Sequence, residues 1–167
     1  MPGRAWKFGD NIDTDRISPG RYASLTDPQE YSEHCLEGVD PSFAKNASHG
    51  DVIVAGENFG CGSSRERAPV SIKAIGISCV IASSFARTFL RNSINIGLPI
   101  LECPEASEGI ESGDLVDVDL AIGRISDLTT GYEFRAKPIP EFLAEIMAAG
   151  GLVGWARIRL GLDPSRA

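Results

Sequence analysis

The sequence predicts an α/β fold, with a mainly parallel central sheet flanked by helices. Three short apolar runs, Val52–Ala55, Cys79–Ala82 and residues 99–101, have the length and composition of buried strands. Helical patterns separate them, over residues 64–76 and 85–96. This β-α-β-α-β order implies parallel strands joined by right-handed crossovers. In such sheets the loops beyond the strand carboxyl ends hold the ligand, so a functional site is expected at that edge.

The N-terminal part predicts a strand over residues 5–8, followed by a long polar loop that extends to Tyr22. Asp27 and Pro28 supply the cap and the first position of a helix that continues to Leu36. Residues 41–45 are consistent with one more helical turn.

The C-terminal third predicts a different pattern. Apolar and acidic residues alternate over 114–120, as in a half-exposed strand. Residues 124–128 and 132–135 flank a Thr-Thr-Gly turn and predict a hairpin. An amphipathic helix is expected over 138–149, with Phe142 on its apolar side, and a last helix or an extended tail over 152–160.

Composition narrows the class of protein. The chain has 167 residues, of which 43% are apolar and 23% charged, as is ordinary for a soluble globular protein. No linker or internal repeat stands out, so residues 1–167 are expected to form a single domain. The net charge of −7 argues against a nucleic-acid surface. No apolar segment could span a membrane and the N-terminus lacks a signal peptide, so a cytoplasmic protein is expected.

The cysteines predict no metal site. Cys35, Cys61, Cys79 and Cys103 are widely separated, and no Cys-x-x-Cys pair occurs. Neither a zinc site nor a complete iron–sulfur site can therefore be inferred from local sequence.

The most informative stretch is residues 56–66, Gly-Glu-Asn-Phe-Gly-Cys-Gly-Ser-Ser-Arg-Glu, which follows the strand Val52–Ala55. Its glycines allow the backbone to approach a ligand closely. Ser63 and Glu66 have the spacing of a capping box, which predicts a helix start at this point. A glycine-rich turn at a helix N-terminus binds anions, and Arg65 adds a two-pronged donor for a carboxylate or phosphate.

Other interpretations of this stretch are weaker. An ordinary loop with glycines for turning and serines for capping is the simplest alternative. The stretch lacks the Gly-Lys-Ser/Thr ending of a P-loop and the spacing of a dinucleotide-binding fingerprint.

The polar loop after the first strand contains three aspartates within six residues, at positions 10, 13 and 15. These acids resemble the start of a calcium loop, but the glycine and closing glutamate of that motif are absent. The loop is therefore interpreted either as a solvated turn or as a second half of the anion site.

Five stretches in this order resemble the small subunit of 3-isopropylmalate dehydratase, the swivel domain of the aconitase family. They are residues 7–15, 56–66, 84–87, 91–99 and 148–152. The resemblance implies a swivel-type β/β/α domain that closes over an iron–sulfur domain. It also implies a hydro-lyase of leucine biosynthesis that moves a hydroxyl between adjacent carbons of a small hydroxy-diacid.

The resemblance also implies a partner and a cofactor. The [4Fe–4S] cluster would be carried by a separate large subunit, in a heterodimer or heterotetramer, and would act there as a Lewis acid on the leaving hydroxyl. No metal is expected on this chain.

Roles carry over to the residues that match the family's motifs. The catalytic residues would be Ser63, as an alkoxide base, with Arg65 and Asp15. The substrate-binding residues would be Thr14, Ser18, Arg21, Ser24, Gly62 and Ser64.

Two departures from the family pattern leave alternatives open. Arg67 stands where the family commonly has a histidine. The loop expected to select the substrate, residues 22–25, offers no cation at Ser24, although Arg21 could serve if its side chain turned inward. This favours an alkyl-malate over a tricarboxylate. The alternatives are a homoaconitase or a dimethylmalate/citramalate-type dehydratase, and, more weakly, a non-catalytic anion-binding module or a structural subunit.

Overall fold

The computed structural model describes residues 2–162. In chain order the elements are β1 (Gly3–Lys7), α1 (Thr14–Ile17), a 3₁₀ turn (Gly20–Tyr22), α2 (Pro28–Ser32), α3 (Phe43–Asn46), β2 (Val52–Ala55), α4 (Arg67–Ile75), β3 (Cys79–Ala82), α5 (Arg87–Ile96), β4 (Ile100–Glu102), α6 (Pro104–Gly109), β5 (Leu115–Asp119), β6 (Arg124–Asp127), β7 (Glu133–Arg135), α7 (Glu141–Ala148) and α8 (Leu152–Arg159). No helix within residues 2–162 is both long enough and apolar enough to cross a bilayer.

The strands form one seven-stranded sheet in the order β4-β3-β2-β1-β5-β6-β7. β1 to β4 are parallel, and β1, β5, β6 and β7 pair antiparallel in succession. β2 and β3 are buried at every residue, which is why they appear in the sequence as unbroken apolar runs. The predicted α/β class, the parallel strands and the C-terminal hairpin are confirmed.

The sheet separates two hydrophobic cores. Alternate residues of β2 face opposite sides, so Ile53 packs in the first core and Val54 in the second. The first core also contains Ile72 of α4 and Phe89 of α5. The second includes residues of α6 and of the antiparallel strands, among them Ile125. The short helix α6 was not predicted from the sequence.

The predicted start of α4 is wrong. The helix begins at Arg67, and its N-cap Glu66 makes no side-chain capping bond, so Ser63 and Glu66 form no capping box. This late start places Pro69 in the first helical turn, where its missing N–H is tolerated. The helix ends as predicted at Gly76, which has a φ of +94°.

The start of α5 is also later than predicted. Ser84 does not cap it. Its hydroxyl accepts from the Asn58 N–H at 2.9 Å, and its carbonyl accepts from the Phe59 N–H at 3.0 Å. Because Phe59 and Phe85 pair as an isolated bridge, residue 85 is extended and the helix starts at Arg87.

The remaining differences are local. The loop after β1 contains the helix α1, which was not predicted. α2 is capped by Asp27 as predicted, but it ends at Ser32 rather than at residue 36. α7 begins at Glu141, beyond two prolines, and Phe142 is 54% exposed rather than buried. The last segment is the helix α8, which confirms the helical alternative.

Candidate active site

The two polar segments singled out from the sequence lie side by side at the carboxyl edge of the parallel strands. We call residues 9–15 the β1 loop and residues 56–66 the β2 loop. The backbone N–H of Asn11 donates to the Glu57 carbonyl at 2.8 Å, and that of Gly60 donates to the Ile12 carbonyl at 2.7 Å. These bonds join the two loops into one edge, so residues about 50 positions apart in sequence share one surface.

Gly60 determines how closely the β2 loop approaches the first core. Its φ is +78°, a conformation that favours glycine. A methyl group at this position would lie 2.2 Å from Cγ of Phe89, well inside van der Waals contact. A side chain is therefore excluded both by backbone conformation and by space.

Helix α1 presents Thr14 and Asp15 to the β2 loop. Asp13 caps the helix by accepting from the Arg16 N–H at 2.7 Å. Thr14 is buried, and its hydroxyl donates to the Ser63 carbonyl at 3.1 Å. Its N–H donates to the Cys61 carbonyl at 2.9 Å. Thr14 therefore fixes the backbone on both sides of Gly62.

Arg65 and Asp15 form an ion pair between the two loops, through Nη1 and Oδ1. Their side chains remain 37% and 56% exposed, so solvent screens the pair and its main effect is to orient the guanidinium. A guanidinium has five N–H donors, and Asp15 engages one nitrogen. Donors of Arg65 therefore remain for a second carboxylate.

Gly62, Ser63 and Ser64 are exposed. Within residues 2–162, the side chains of the two serines have no protein hydrogen-bond partner. Ser18 is placed differently, because it is buried at the C-terminus of α1. The surface around the serines is open, so a substrate bound there would need a second surface to exclude water.

The position of Ser63 changes the electrostatic argument made from the sequence. It lies four residues before the first residue of α4, and the effect of a helix dipole falls off within the first turn. The dipole of α4 therefore contributes little at Ser63. Any negative charge on this side chain would depend on Arg65 and on nearby backbone N–H groups.

The side chain of Arg21 is engaged by Glu37 and Tyr22. Its Nη2 lies 2.5 Å from Oε1 of Glu37, and its guanidinium lies over the Tyr22 ring. Hydrogen bonds with Tyr22 and Glu37 raise the pKa of Arg21. Desolvation raises the pKa of Glu37, but hydrogen bonds from Arg21, His34 and Tyr22 outweigh it and hold that pKa below its ordinary value. Ser24 is exposed and offers no charge.

The cysteines do not form a ligand set. Cys35 and Cys79 are fully buried, and burial raises the pKa of each thiol to about 12. Cys61 is half-buried in the β2 loop. No three His, Cys, Asp or Glu side chains within residues 2–162 are grouped to hold a metal ion. The described residues do not fit an iron–sulfur cluster, and we derive no step through such a group on this chain.

Two contributors to the site were not identified from the sequence. Arg67 donates to the carbonyls of Tyr22 and Ala23, at 2.9 and 2.7 Å. The sequence marks Arg67 only as a departure from a family pattern and gives no partner for it. Gly20 lies against Arg65 and Asp15, and no local signal predicts that contact.

Comparison with known proteins agrees with this fold. Residues 10–106 match the aconitase C-terminal domain family. The crystal structure of 3-isopropylmalate dehydratase from Methanocaldococcus jannaschii superimposes with a TM-score of 0.92 and 46% sequence identity, covering 100% of this chain and 99% of that one. The chain therefore belongs to the aconitase C-terminal domain family, as its motifs predict.

Two curated relatives place the chain more narrowly within that family. The 3-isopropylmalate dehydratase small subunit of Caldicellulosiruptor bescii is 59% identical over 161 residues, which cover 96% of this chain and 97% of the relative. The 2,3-dimethylmalate dehydratase small subunit of Eubacterium barkeri is 56% identical over 153 residues, which cover 92% and 94%. The chain groups with hydro-lyase small subunits over nearly its full length.

Proposed function

We propose that this chain is the small subunit of a 3-isopropylmalate dehydratase, which interconverts 2-isopropylmalate and 3-isopropylmalate by dehydration and rehydration in leucine biosynthesis. The observation that carries the proposal is the junction of the two loops. There the Arg65–Asp15 ion pair orients the guanidinium, and the Thr14 hydroxyl donates to the carbonyl of the exposed Ser63, two residues before Arg65. The identity to dehydratase small subunits supports the substrate.

Ser63 acts as the general base. In the dehydration direction its alkoxide takes the proton from the carbon next to a substrate carboxylate, and the electron pair moves into that carboxylate. The hydroxyl on the neighbouring carbon then leaves, which forms the double bond. In rehydration, hydroxide adds to the carbon that lost the proton, and Ser63 returns the proton to the carbon that lost the hydroxyl, which gives the isomer.

Arg65 makes this chemistry accessible in two ways. A free serine hydroxyl is a weak acid, so its ionised form needs a fixed positive charge beside it. The same guanidinium can bind a substrate carboxylate through donors that Asp15 leaves available. Asp15 supports both functions because its carboxylate orients Arg65, and Thr14 holds the Ser63 backbone.

Gly62, Ser63 and Ser64 are exposed within residues 2–162, so a bound substrate needs a second surface. We assign that surface to a large subunit, which covers Gly62, Ser63 and Ser64 and excludes water when the complex closes. We also assign the [4Fe–4S] cluster to that subunit. Ser64, Ser24 and Gly62 then line the substrate, together with the Thr14 and Ser18 region behind them.

The substrate side chain is expected to be an alkyl group. A third carboxylate would need a cation, and the charge of Arg21 is matched by Glu37. An alkyl group gains about 0.8 kcal/mol for each buried CH₂. The Eubacterium barkeri relative shows that the small-subunit group also includes a 2,3-dimethylmalate dehydratase, so that substrate is the informative competitor.

The test is an assay of the anaerobically reconstituted complex of this chain with its large subunit. Wild type is expected to convert isopropylmalate with a higher kcat/KM than 2,3-dimethylmalate or homoaconitate. Ser63→Ala should lower kcat by about 10²–10⁴-fold with little change in KM, because a general base acts in the chemical step.

Ser112 is exposed and lies outside the β1 and β2 loops, so Ser112→Ala serves as the matched control and should have wild-type activity. The base assignment is wrong if Ser63→Ala retains near-normal kcat. The substrate assignment is wrong if homoaconitate or 2,3-dimethylmalate is converted more efficiently than isopropylmalate.

A further inference from the structure

We propose that Arg67 is a positioning residue, which fixes residues 20–25 against the active site and thereby sets the affinity of the enzyme for its substrate. We call residues 20–25 the rim loop. The enzymatic consequence depends on the function proposed above, but the structural clamp can be tested without it.

Arg67 binds the backbone of the rim loop rather than a side chain. Its Nη1 donates to the Ala23 carbonyl at 2.7 Å, and its Nη2 donates to the Tyr22 carbonyl at 2.9 Å. The guanidinium also lies 4.2 Å from the centre of the Tyr31 ring in α2. Two donors of one planar group therefore hold two consecutive carbonyls, while the ring fixes the plane.

The other end of the rim loop contacts the active site directly. A methyl group at Gly20 would lie 3.3 Å from Nη1 of Arg65 and 3.3 Å from Oδ1 of Asp15. The rim loop therefore borders the ion pair that orients the guanidinium. Ala23 and Ser24 are exposed a few residues further on.

Arg65 and Arg67 lie on the same short segment, separated by Glu66. One guanidinium is directed to Asp15 and the other to the carbonyls of Tyr22 and Ala23. The segment that carries the proposed catalytic arginine thus also holds the rim loop. Residues 63–67 form one short stretch of backbone at the start of α4, and this stretch limits the distance between the rim loop and Ser63.

A second set of contacts holds the rim loop from its outer side. The Tyr22 ring stacks on His34 at a centroid distance of 3.5 Å, and Arg21 pairs with Glu37. These contacts act on side chains and remain when Arg67 is replaced. We therefore expect loss of Arg67 to loosen the inner position of the loop without detaching it or unfolding the domain.

A lysine cannot replace this clamp. Its ammonium is a compact point charge and cannot hold two carbonyls in a planar fork, although it preserves the charge. Comparison of Arg67→Lys with Arg67→Ala therefore separates loss of the fork from loss of the charge. Arg135 on the edge strand β7 is exposed and provides the matched control, Arg135→Ala.

The first measurement is steady-state kinetics of the reconstituted complex with isopropylmalate. Arg67→Ala is expected to raise KM by at least about tenfold with kcat within about threefold of wild type, because binding is impaired and the base is intact. Arg67→Lys should fall between Arg67→Ala and wild type, and Arg135→Ala should match wild type. The proposal would be overturned if the KM of Arg67→Ala were unchanged, or if Arg67→Ala lowered kcat by about tenfold and left KM at the wild-type value.

The second measurement is hydrogen exchange on the isolated chain, which requires no activity. The amides of Tyr22, Ala23 and Leu25 are bonded to the carbonyls of Pro19, Gly20 and Tyr22. In Arg67→Ala their exchange should accelerate by about tenfold or more, while the strand amides keep their protection. Unchanged exchange of these three amides would show that Arg67 does not hold the loop.

The two measurements also separate the two proposals. If wild-type complex converts none of the malates, the proposed function fails, and exchange alone decides whether the clamp exists. If wild type is active but the exchange and KM of Arg67→Ala are both unchanged, the function stands and the clamp is wrong.

Discussion

The parallel half of the sheet, β1 to β4, and the antiparallel half, β5 to β7, bury their residues differently. Every residue of β2 and β3 is buried, whereas burial in β6 alternates along the strand. The middle strands of the parallel half, β2 and β3, are covered on both faces, and the antiparallel half only on one. The candidate site lies entirely in the loops of the parallel half.

The two halves also use their polar side chains differently. Asp127 at the end of β6 is buried, and it accepts from the N–H groups of Thr129 and Thr130 and from the Thr130 hydroxyl. Both carboxylate oxygens of Asp127 therefore accept hydrogen bonds within the turn that they stabilise. Ser63 is exposed and has no side-chain partner within residues 2–162. Polar groups that are fully bonded stabilise a fold, and those left available at a strand edge can bind a ligand.

The largest expected difference in stability between the halves concerns two glycines with the same backbone conformation. Gly60 and Gly131 have φ values of +78° and +80°, but a methyl group at Gly60 would meet Phe89, and at Gly131 nothing lies within 4 Å. Both alanine substitutions should cost about 1–2 kcal/mol for the left-handed backbone. Gly60→Ala should cost about 1–3 kcal/mol more because it overpacks the core.

Urea unfolding of both variants measures this difference. Equal losses of unfolding free energy would show that the contact with Phe89 relaxes at no cost.

The next effect is confined to alkaline pH and to the parallel half. Cys35 and Cys79 pack there, and their pKa values rise from an ordinary 9.0 to about 12 in the folded protein. Above pH 9 the unfolded chain loses these protons first, so the free energy of unfolding should fall between pH 9 and 12. Each thiol should contribute a slope of about 1.4 kcal/mol per pH unit.

Unfolding under reducing conditions at several pH values in this range tests the slope. Cys79→Ala should be less stable than wild type near pH 7, and above pH 9 its free energy of unfolding should fall less steeply, because one thiol is missing. A slope that does not change in Cys79→Ala would assign the alkaline effect to other groups.

The smallest expected effect distinguishes two aspartates. Asp127→Asn should lower the free energy of unfolding by about 1 kcal/mol, because an amide cannot accept all the hydrogen bonds of the buried carboxylate. Asp15→Asn removes an exposed ion pair and should change stability by less than about 0.5 kcal/mol.

Activity should show the reverse order. Asp15→Asn should lower kcat/KM of the reconstituted complex by releasing Arg65, and Asp127→Asn should leave it at the wild-type value. A loss of activity in Asp127→Asn that exceeds the loss in Asp15→Asn would contradict the division of roles between the two halves.

The strands could be predicted from the sequence because burial on two faces imposes apolar residues at every position. Val52–Ala55 and Cys79–Ala82 were predicted with correct bounds. The starts of α4 and α5 could not, because contacts between distant segments override local capping signals. The local pattern predicts a helix from residue 85, yet the hydroxyl and carbonyl of Ser84 accept from the N–H groups of Asn58 and Phe59, about 25 residues earlier.

By itself the sequence determined the class of fold, the family and the two motifs that carry the proposed chemistry. Each of these depends on short stretches whose residue types are required locally, by burial, by turning or by the chemistry itself. Only the tertiary structure decided that Asp15 meets Arg65, that Arg21 pairs with Glu37 and that Arg67 donates to the rim loop's carbonyls. The physical reason is that a long charged side chain can reach many partners, and the packing of the loops selects among them.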